Sequence, residues 1–232
     1  MADEISAVIT AGGKEVETDR YSVKTYADEI LSEEYRTEYL KTKSEEEYNS
    51  LATLVKTMLN YGAATQRQFE DAHPNTTYAN DGINYPLYPL TEAELSAVDM
   101  PAPDKASINA HLNGTDLQYY GYTMLLHSNT NLRFYFLKEN SYTNINDIRL
   151  GDNFAKTYDN NFAYVEAELP AYELDRMYTL KVNGTDFGSY SALIYIKDVL
   201  SDANADETLK NTVTAMYRYH IAAVDWFDNQ TN

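Results

Sequence analysis

Cysteine is absent from the 232 residues, which removes disulfides, thiolate nucleophiles and Cys-ligated zinc from consideration. Histidine is scarce: His73, His111, His127 and His220 are the four, and no two of them have the spacing of a helix-borne metal motif. There is no Gly-x-Ser-x-Gly elbow, no Gly-x-x-x-x-Gly-Lys-Ser/Thr loop and no Gly-x-Gly-x-x-Gly turn, so nucleophilic and nucleotide chemistry have no foothold. No apolar run approaches the roughly 20 residues that cross a bilayer, and no signal-peptide pattern precedes Ile5. Cations are few as well. Eighteen Lys and Arg face 36 Asp and Glu, a net charge of −18, which repels nucleic-acid phosphates and anionic lipid. The expectation is therefore no cofactor, no bound metal, no nucleic-acid partner and no membrane insertion.

What is there in quantity is apolar residues and tyrosine. A hydrophobic content of 44% is enough for a core in one large domain or two smaller ones. Twenty-two tyrosines stand against one Trp and seven Phe. A phenol packs its ring and keeps its hydroxyl wet, which suits thin sheets, interfaces and sugar-facing surfaces.

The chain also contains itself twice. Tyr21-Ser-Val-Lys-Thr-Tyr-Ala-Asp-Glu-Ile-Leu31 returns as Tyr190-Ser-Ala-Leu-Ile-Tyr-Ile-Lys-Asp-Val-Leu200. Leu51, Val55, Met58, Tyr61, Ala64 and Phe69 coincide without a gap with Leu209, Val213, Met216, Tyr219, Ala222 and Phe227. These matches fall at helical spacing on packing positions, and periods of this kind report architecture. Each copy predicts a helix pair. In the first, a helix opening at Asp19 to Tyr21 carries Val23, Tyr26, Ala27, Ile30 and Leu31 as one apolar stripe. A longer helix begins near Ser44, with Glu47 as its capping-box partner. Twenty positions separate Leu31 from Leu51 but only nine separate Leu200 from Leu209, so an insert of 11 sits in the acidic stretch Glu33 to Glu47. Gly62 in mid-helix costs about 1 kcal/mol relative to Ala, which predicts a neighbouring helix close to Gly62-Ala-Ala64.

Between the pairs the period changes to two. Leu117 to Leu126, Asn131 to Lys138, Ile145 to Leu150, Asn161 to Leu169 and Met177 to Val182 read as strands separated by Asn, Asp, Gly and Ser turns. This spacing predicts an antiparallel sandwich. Leu132, Phe134 and Phe136 point inward with Ala163, Val165, Ala167 and Leu169, leaving Arg133, Tyr135, Tyr164, Glu166 and Glu168 outside. The predicted fold is thus α+β, an antiparallel β-sandwich with internally repeated helical hairpins. Residues 1–70 hold a final strand and the first pair, 71–113 form a connector with a short helix at Thr91 to Val98, and 114–232 hold the sandwich and the second pair. The repeat further predicts a slice of a longer protein, in which the strand at Ile5 to Thr10, turning at Gly12-Gly13 into a return strand through Val16, takes sheet partners from elsewhere.

Tyr21 to Leu31, Leu54-Val-Lys-Thr-Met-Leu-Asn-Tyr-Gly-Ala-Ala64, Tyr119-Tyr-Gly-Tyr-Thr-Met-Leu-Leu126, Leu174-Asp-Arg-Met-Tyr178 and Tyr190-Ser-Ala-Leu193 together resemble a module of large secreted or surface-attached proteins of anaerobic gut Firmicutes. The resemblance covers nearly the whole chain. It implies an extracellular or cell-surface location, neighbouring modules in the same parent chain, adhesive or polysaccharide-related work and no assigned catalytic residues. The insert from Glu33 to Glu47 departs from the module's shorter spacing.

The candidate ligand site is the exposed sheet face that carries Arg133, Tyr135, Tyr164 and Glu166, with Tyr119. Aromatic rings stack on the C–H faces of sugars while Arg and Glu bond hydroxyls. An ordinary sandwich surface with Tyr favoured by β-propensity gives the same pattern. Three functions follow: a non-catalytic adhesion or scaffolding module bound to a surface protein or polysaccharide; a carbohydrate-binding module; and a glycan-active hydrolase, which needs two carboxylates roughly 5–9.5 Å apart. Asp147, Asp152 and Asp159 have the oxygens for calcium but lack the EF-hand order, and turn chemistry accounts for them more simply.

Overall fold

The computed structural model describes residues 5–17, 21–68, 89–126 and 130–230. Phe69, the connector from 71 to 88 with His73, the helix start before Tyr21, and His127 lie outside the described residues. In chain order the elements are β1 (Val8–Ala11), β2 (Lys14–Glu17), α1 (Val23–Ile30), α2 (Glu33–Tyr39), α3 (Glu45–Gln68), α4 (Glu92–Ala97), α5 (Lys105–His111), β3 (Leu117–Leu126), β4 (Thr130–Lys138) and β5 (Ile148–Leu150). Then follow β6 (Asn153–Phe154), β7 (Lys156–Thr157), β8 (Phe162–Glu168), a short 3-10 turn at Ala171–Glu173, β9 (Tyr178–Val182), β10 (Thr185–Tyr190), α6 (Leu193–Ser201) and α7 (Glu207–Gln230). The class is α+β, with two antiparallel four-stranded sheets and seven α-helices among the described residues.

The chain divides into two compact units, Met1–Tyr88 with Asp206–Asn232, and Pro89–Ala205. The division differs from boundaries at 70 and 113. α5, read from sequence as connector, is tied to β3: the Asn109 side chain accepts from the Tyr119 amide at 2.7 Å and donates to the Tyr119 carbonyl at 3.2 Å. α7 clusters with the first unit because its partner is α3.

In the first unit, capping chemistry sets the helix starts. Ser22 and Thr25 reciprocate across the first turn of α1. The Ser44 hydroxyl accepts from the Glu47 amide at 3.1 Å while the Glu47 carboxylate accepts from the Ser44 amide at 2.9 Å, the capping box expected of α3. The insert folds as α2, whose Tyr35 packs with Leu31, Leu51, Met58 and Leu59 around buried Ala27, Ile30 and Val55. The apolar stripe of α1 is only half covered, since Ala27 and Ile30 are buried but Val23 and Tyr26 are exposed.

α3 and α7 run antiparallel. Ser50 donates to Asp225 at 2.6 Å near one end, Thr208 donates to Gln68 at 2.7 Å near the other, and Tyr61 stacks on Tyr219 at 6.1 Å between them. Gly62, Ala63 and Ala64 are buried, and the Ala64 carbonyl accepts from Thr212 at 3.2 Å. The small residues therefore lie where α7 comes close. His220 is buried beside Tyr217. The hairpin β1–β2 pairs Val8 with Glu17 through Ala11 with Lys14, as the Gly-Gly turn predicts, and Ile5 bridges Tyr21 beyond it.

In the second unit the sheets have the orders β10-β9-β5-β6 and β3-β4-β8-β7. Alternation holds on β4 and β8: Leu132, Phe134, Phe136, Ala163, Val165 and Ala167 are buried. Each large apolar side chain removed from water there contributes about 1.5–3 kcal/mol. The β5 strand is shorter than the 145–150 read from sequence, because Asn140 to Asn146 spend their polar groups on local turns. α4 opens at Thr91 with a Thr91–Glu94 capping box.

Candidate ligand-binding face

The outer face of the β3-β4-β8-β7 sheet brings four of the five candidate residues together. Arg133 pairs with Glu166 across β4 and β8, and Tyr135 pairs with Tyr164. They form two adjacent rungs, and directly opposed side chains are the contacts that stabilise a sheet.

Tyr119 is not among them. Its side chain is 1% exposed and packs on the core face against Phe136 at 5.4 Å and Phe134 at 6.4 Å. Alternation counted back from buried Met124 would put Tyr119 outside. A bulge between Tyr119 and Gly121 resets the phase, and a single extra residue exchanges the two faces. Asn109 holds both backbone groups of Tyr119 at that bulge. Tyr120 faces out instead, 55% exposed, its carbonyl accepting from Lys105 at 2.7 Å and its ring under the same ammonium at 5.4 Å.

Arg133 organises the centre. Its Nε and Nη2 both donate to Glu166 Oε2, at 2.9 and 2.6 Å, and Nη1 donates to the Tyr135 hydroxyl at 3.2 Å. The guanidinium lies 4.0 Å above the Tyr164 ring, within cation–π range. Lys156 reaches the other Glu166 oxygen at 3.5 Å. Burial pulls the Arg133 pKa down, but the bonds to Tyr135 and Glu166 outweigh it and hold the guanidinium above its usual value. Its side chain and that of Glu166 are 13% and 17% exposed. They form a partly buried and internally balanced pair.

Around the pair stand rings that sequence reasoning missed. Tyr158, 60% exposed, meets Tyr135 at 6.1 Å and Tyr164 at 6.1 Å, nearly perpendicular to both. Phe162 meets Tyr135 at 6.4 Å and Tyr120 at 5.4 Å, again edge to face. Such contacts add about 0.5–1.5 kcal/mol each beyond burial and hold the rings in a fixed relief. Phe162 was readable, because it shares the parity of Tyr164 and Glu166; Tyr158 sits beyond β7 and needed the sheet order. The face offers ring surfaces, a phenol, an ammonium and a guanidinium, all suited to binding. Both Glu166 oxygens are engaged by cations, Oε2 by Arg133 and Oε1 by Lys156.

Elsewhere, no group of three or more His, Cys, Asp or Glu is placed to hold a metal among the described residues. Asp159 accepts from the Asn161 and Phe162 amides, both at 2.7 Å, and is a turn residue. In the helical unit an open groove of about 530 Å³ is lined by Glu45, Glu46, Asn49, Ser50, Asp225 and Asn229, among others. No helix among the described residues is long and apolar enough to cross a membrane. Neither a family model, nor a curated protein, nor a solved structure matches this chain.

Proposed function

We propose that this chain is a non-catalytic adhesion or scaffolding module of an extracellular or surface-attached multi-domain bacterial protein, and that its contact surface is the outer face of the β3-β4-β8-β7 sheet. The observation that carries the reading is the cluster of Tyr120, Tyr135, Tyr158, Phe162 and Tyr164 around the Arg133–Glu166 pair. Aromatic and Arg side chains on a rigid surface are what binding sites concentrate.

The architecture assigned to the module is a β-sandwich with duplicated hairpin–helix units. The Phe134–Tyr190 contact at 5.7 Å joins the two sheets, each of which buries one face. The duplication draws support from three places. Both hairpins close on two residues of positive φ, Gly12-Gly13 at 59° and 76° and Asn183-Gly184 at 49° and 79°, the I′ form that matches strand twist. The matching residues Tyr61 and Tyr219 stack on each other. Ser50 and its counterpart Thr208 both donate across the helix pair, Ser50 to Asp225 and Thr208 to Gln68, one residue beyond the counterpart of Asp225.

A second reading, carbohydrate as the ligand of this face, is favoured by hydrogen-bonding groups of Arg133, Tyr135 and Lys156 beside ring surfaces. Affinity gels with wall and plant polysaccharides, run beside pull-downs from cell-surface extracts, test both. Retention lost in Tyr158→Ala and in Tyr135→Ala/Tyr164→Ala supports carbohydrate. A protein partner lost in the same variants supports scaffolding. Binding unchanged in both assays removes the face from the function.

A further inference from the structure

The two hairpin–helix units differ in what covers them. In the copy that begins at Tyr190, three side chains grip the β3–β4 hairpin. The Tyr190 ring packs on Phe134 at 5.7 Å, the Tyr195 hydroxyl is hydrogen-bonded to Thr123, and the Asp198 carboxylate accepts from the Tyr122 hydroxyl. Register places those contacts together, since Tyr122 pairs with Phe134 and Thr123 with Arg133. Aligned without a gap from Tyr21, the first copy has Tyr21, Tyr26 and Glu29 at the same three positions. The grip chemistry is kept, two phenols and a carboxylate, but nothing among the described residues receives it. Tyr21 is 53% exposed where Tyr190 is 6%, Tyr26 is 62% exposed, Val23 is exposed where Ala192 is buried, and Glu29 is exposed. Isolated surface apolar residues need no explanation. A patch that repeats a working contact position for position does, and contiguous exposed apolar surface marks interaction sites.

We infer that the exposed face of α1, formed by Tyr21, Val23, Tyr26 and Glu29, is a docking surface for a β-hairpin of the β3–β4 kind, supplied by another module of the same construction. The occupant is defined by the contact in the second unit. It presents an aromatic ring where Phe134 stands, a hydroxyl where Thr123 stands and a phenol donor where Tyr122 stands. A second copy of this chain does not meet that description, because its own α6 already covers its β3–β4 hairpin. The inference rests on the duplication and is independent of the aromatic sheet face, whose test reads Tyr135, Tyr158 and Tyr164.

The test extends the full chain upstream of Met1 with a second copy of its own residues 101–176, which carries β3 and β4 without the hairpin–helix that normally covers them. Hydrogen exchange of amides in residues 5–17 and 21–30 is compared with that of the unextended chain. Exchange slowed at least tenfold in both segments is expected, with Tyr21→Ser/Tyr26→Ser restoring the fast rate. An extension of residues 101–201, which brings its own Tyr190, Tyr195 and Asp198, is expected to leave exchange fast. Unchanged exchange with the shorter extension overturns the inference, whether or not the added strands are themselves protected. Equal slowing with the longer one overturns it too, because covering is then indifferent to the grip. Concentration-dependent protection of 21–30 in the unextended chain makes a second copy the occupant and likewise overturns it.

Discussion

Replacing Tyr119 by Phe deletes one oxygen from the core of the sheet unit, and we expect the protein to become more stable. The ring is 1% exposed, packs against Phe134 and Phe136, and its hydroxyl has no hydrogen-bond partner among the described residues. An unpaired hydroxyl in a protein interior costs about 1–3 kcal/mol. The oxygen leaves a gap of roughly 15 Å³, and at about 24 cal/mol per Å³ that returns only about 0.4 kcal/mol of penalty. The balance is a gain of about 1–2 kcal/mol, or about 2–8 °C in Tm for a chain of this size. Urea titration followed by circular dichroism reads it as a raised midpoint with an unchanged slope. Alkaline pH supplies an independent check. Burial first, then the charges of Tyr190 and Asp198, hold the Tyr119 phenol above its ordinary value. A group whose folded pKa is raised stabilises the fold fully below its unfolded value, about 10 for Tyr, and that contribution is lost as pH rises beyond it. The advantage of Tyr119→Phe should therefore widen above pH 10. A Phe variant less stable by 1 kcal/mol, or one that loses ligand with its stability intact, refutes the assignment of this residue to the core.

Two further outcomes are expected. Glu166→Gln leaves the Arg133 guanidinium, 13% exposed, with a weakened partner, and should cost about 1–3 kcal/mol in the same urea titration, whereas Lys156→Met, whose side chain is 63% exposed, should cost under about 0.5 kcal/mol; equal effects would mean that burial does not set the strength of this pair. The Glu47 carboxyl is held near 2 by the Ser44 amide and then by Lys43, so its contribution to the α3 cap is present above its ordinary 4.5 and lost as pH falls toward 2. The protection of amides at the start of α3, each rate taken relative to its intrinsic value at the same pH, should fall across that window in the wild type and stay flat across it in Glu47→Ala; an acid limb that survives the substitution assigns the loss to other carboxylates.

Local chemistry carried much of this molecule. The Ser44–Glu47 box, the Gly12-Gly13 hairpin and the alternation of β4 and β8 were all legible, because each depends on residues a few positions apart. That is also why Arg133, Tyr135, Tyr164 and Glu166 could be named as neighbours: two alternating strands leave few registers. Tyr119 could not be placed, since its side of the sheet depends on a bulge held by Asn109 from a helix ten residues upstream. Tyr158 could not either, because β7 joins the sheet beside β8 through a turn whose pairing no periodicity records.

Sequence by itself determined the long helices and most of the strands, the inward and outward sets of β4 and β8 and the likeness of residues 21–31 to 190–200. Tertiary structure decided which copies of a repeated pattern are covered. Tyr21 and Tyr190 carry the same side chain and obey the same local rules, yet one is exposed and the other buried, because burial is a property of what lies opposite a residue, and the chain around Tyr21 contains no description of that.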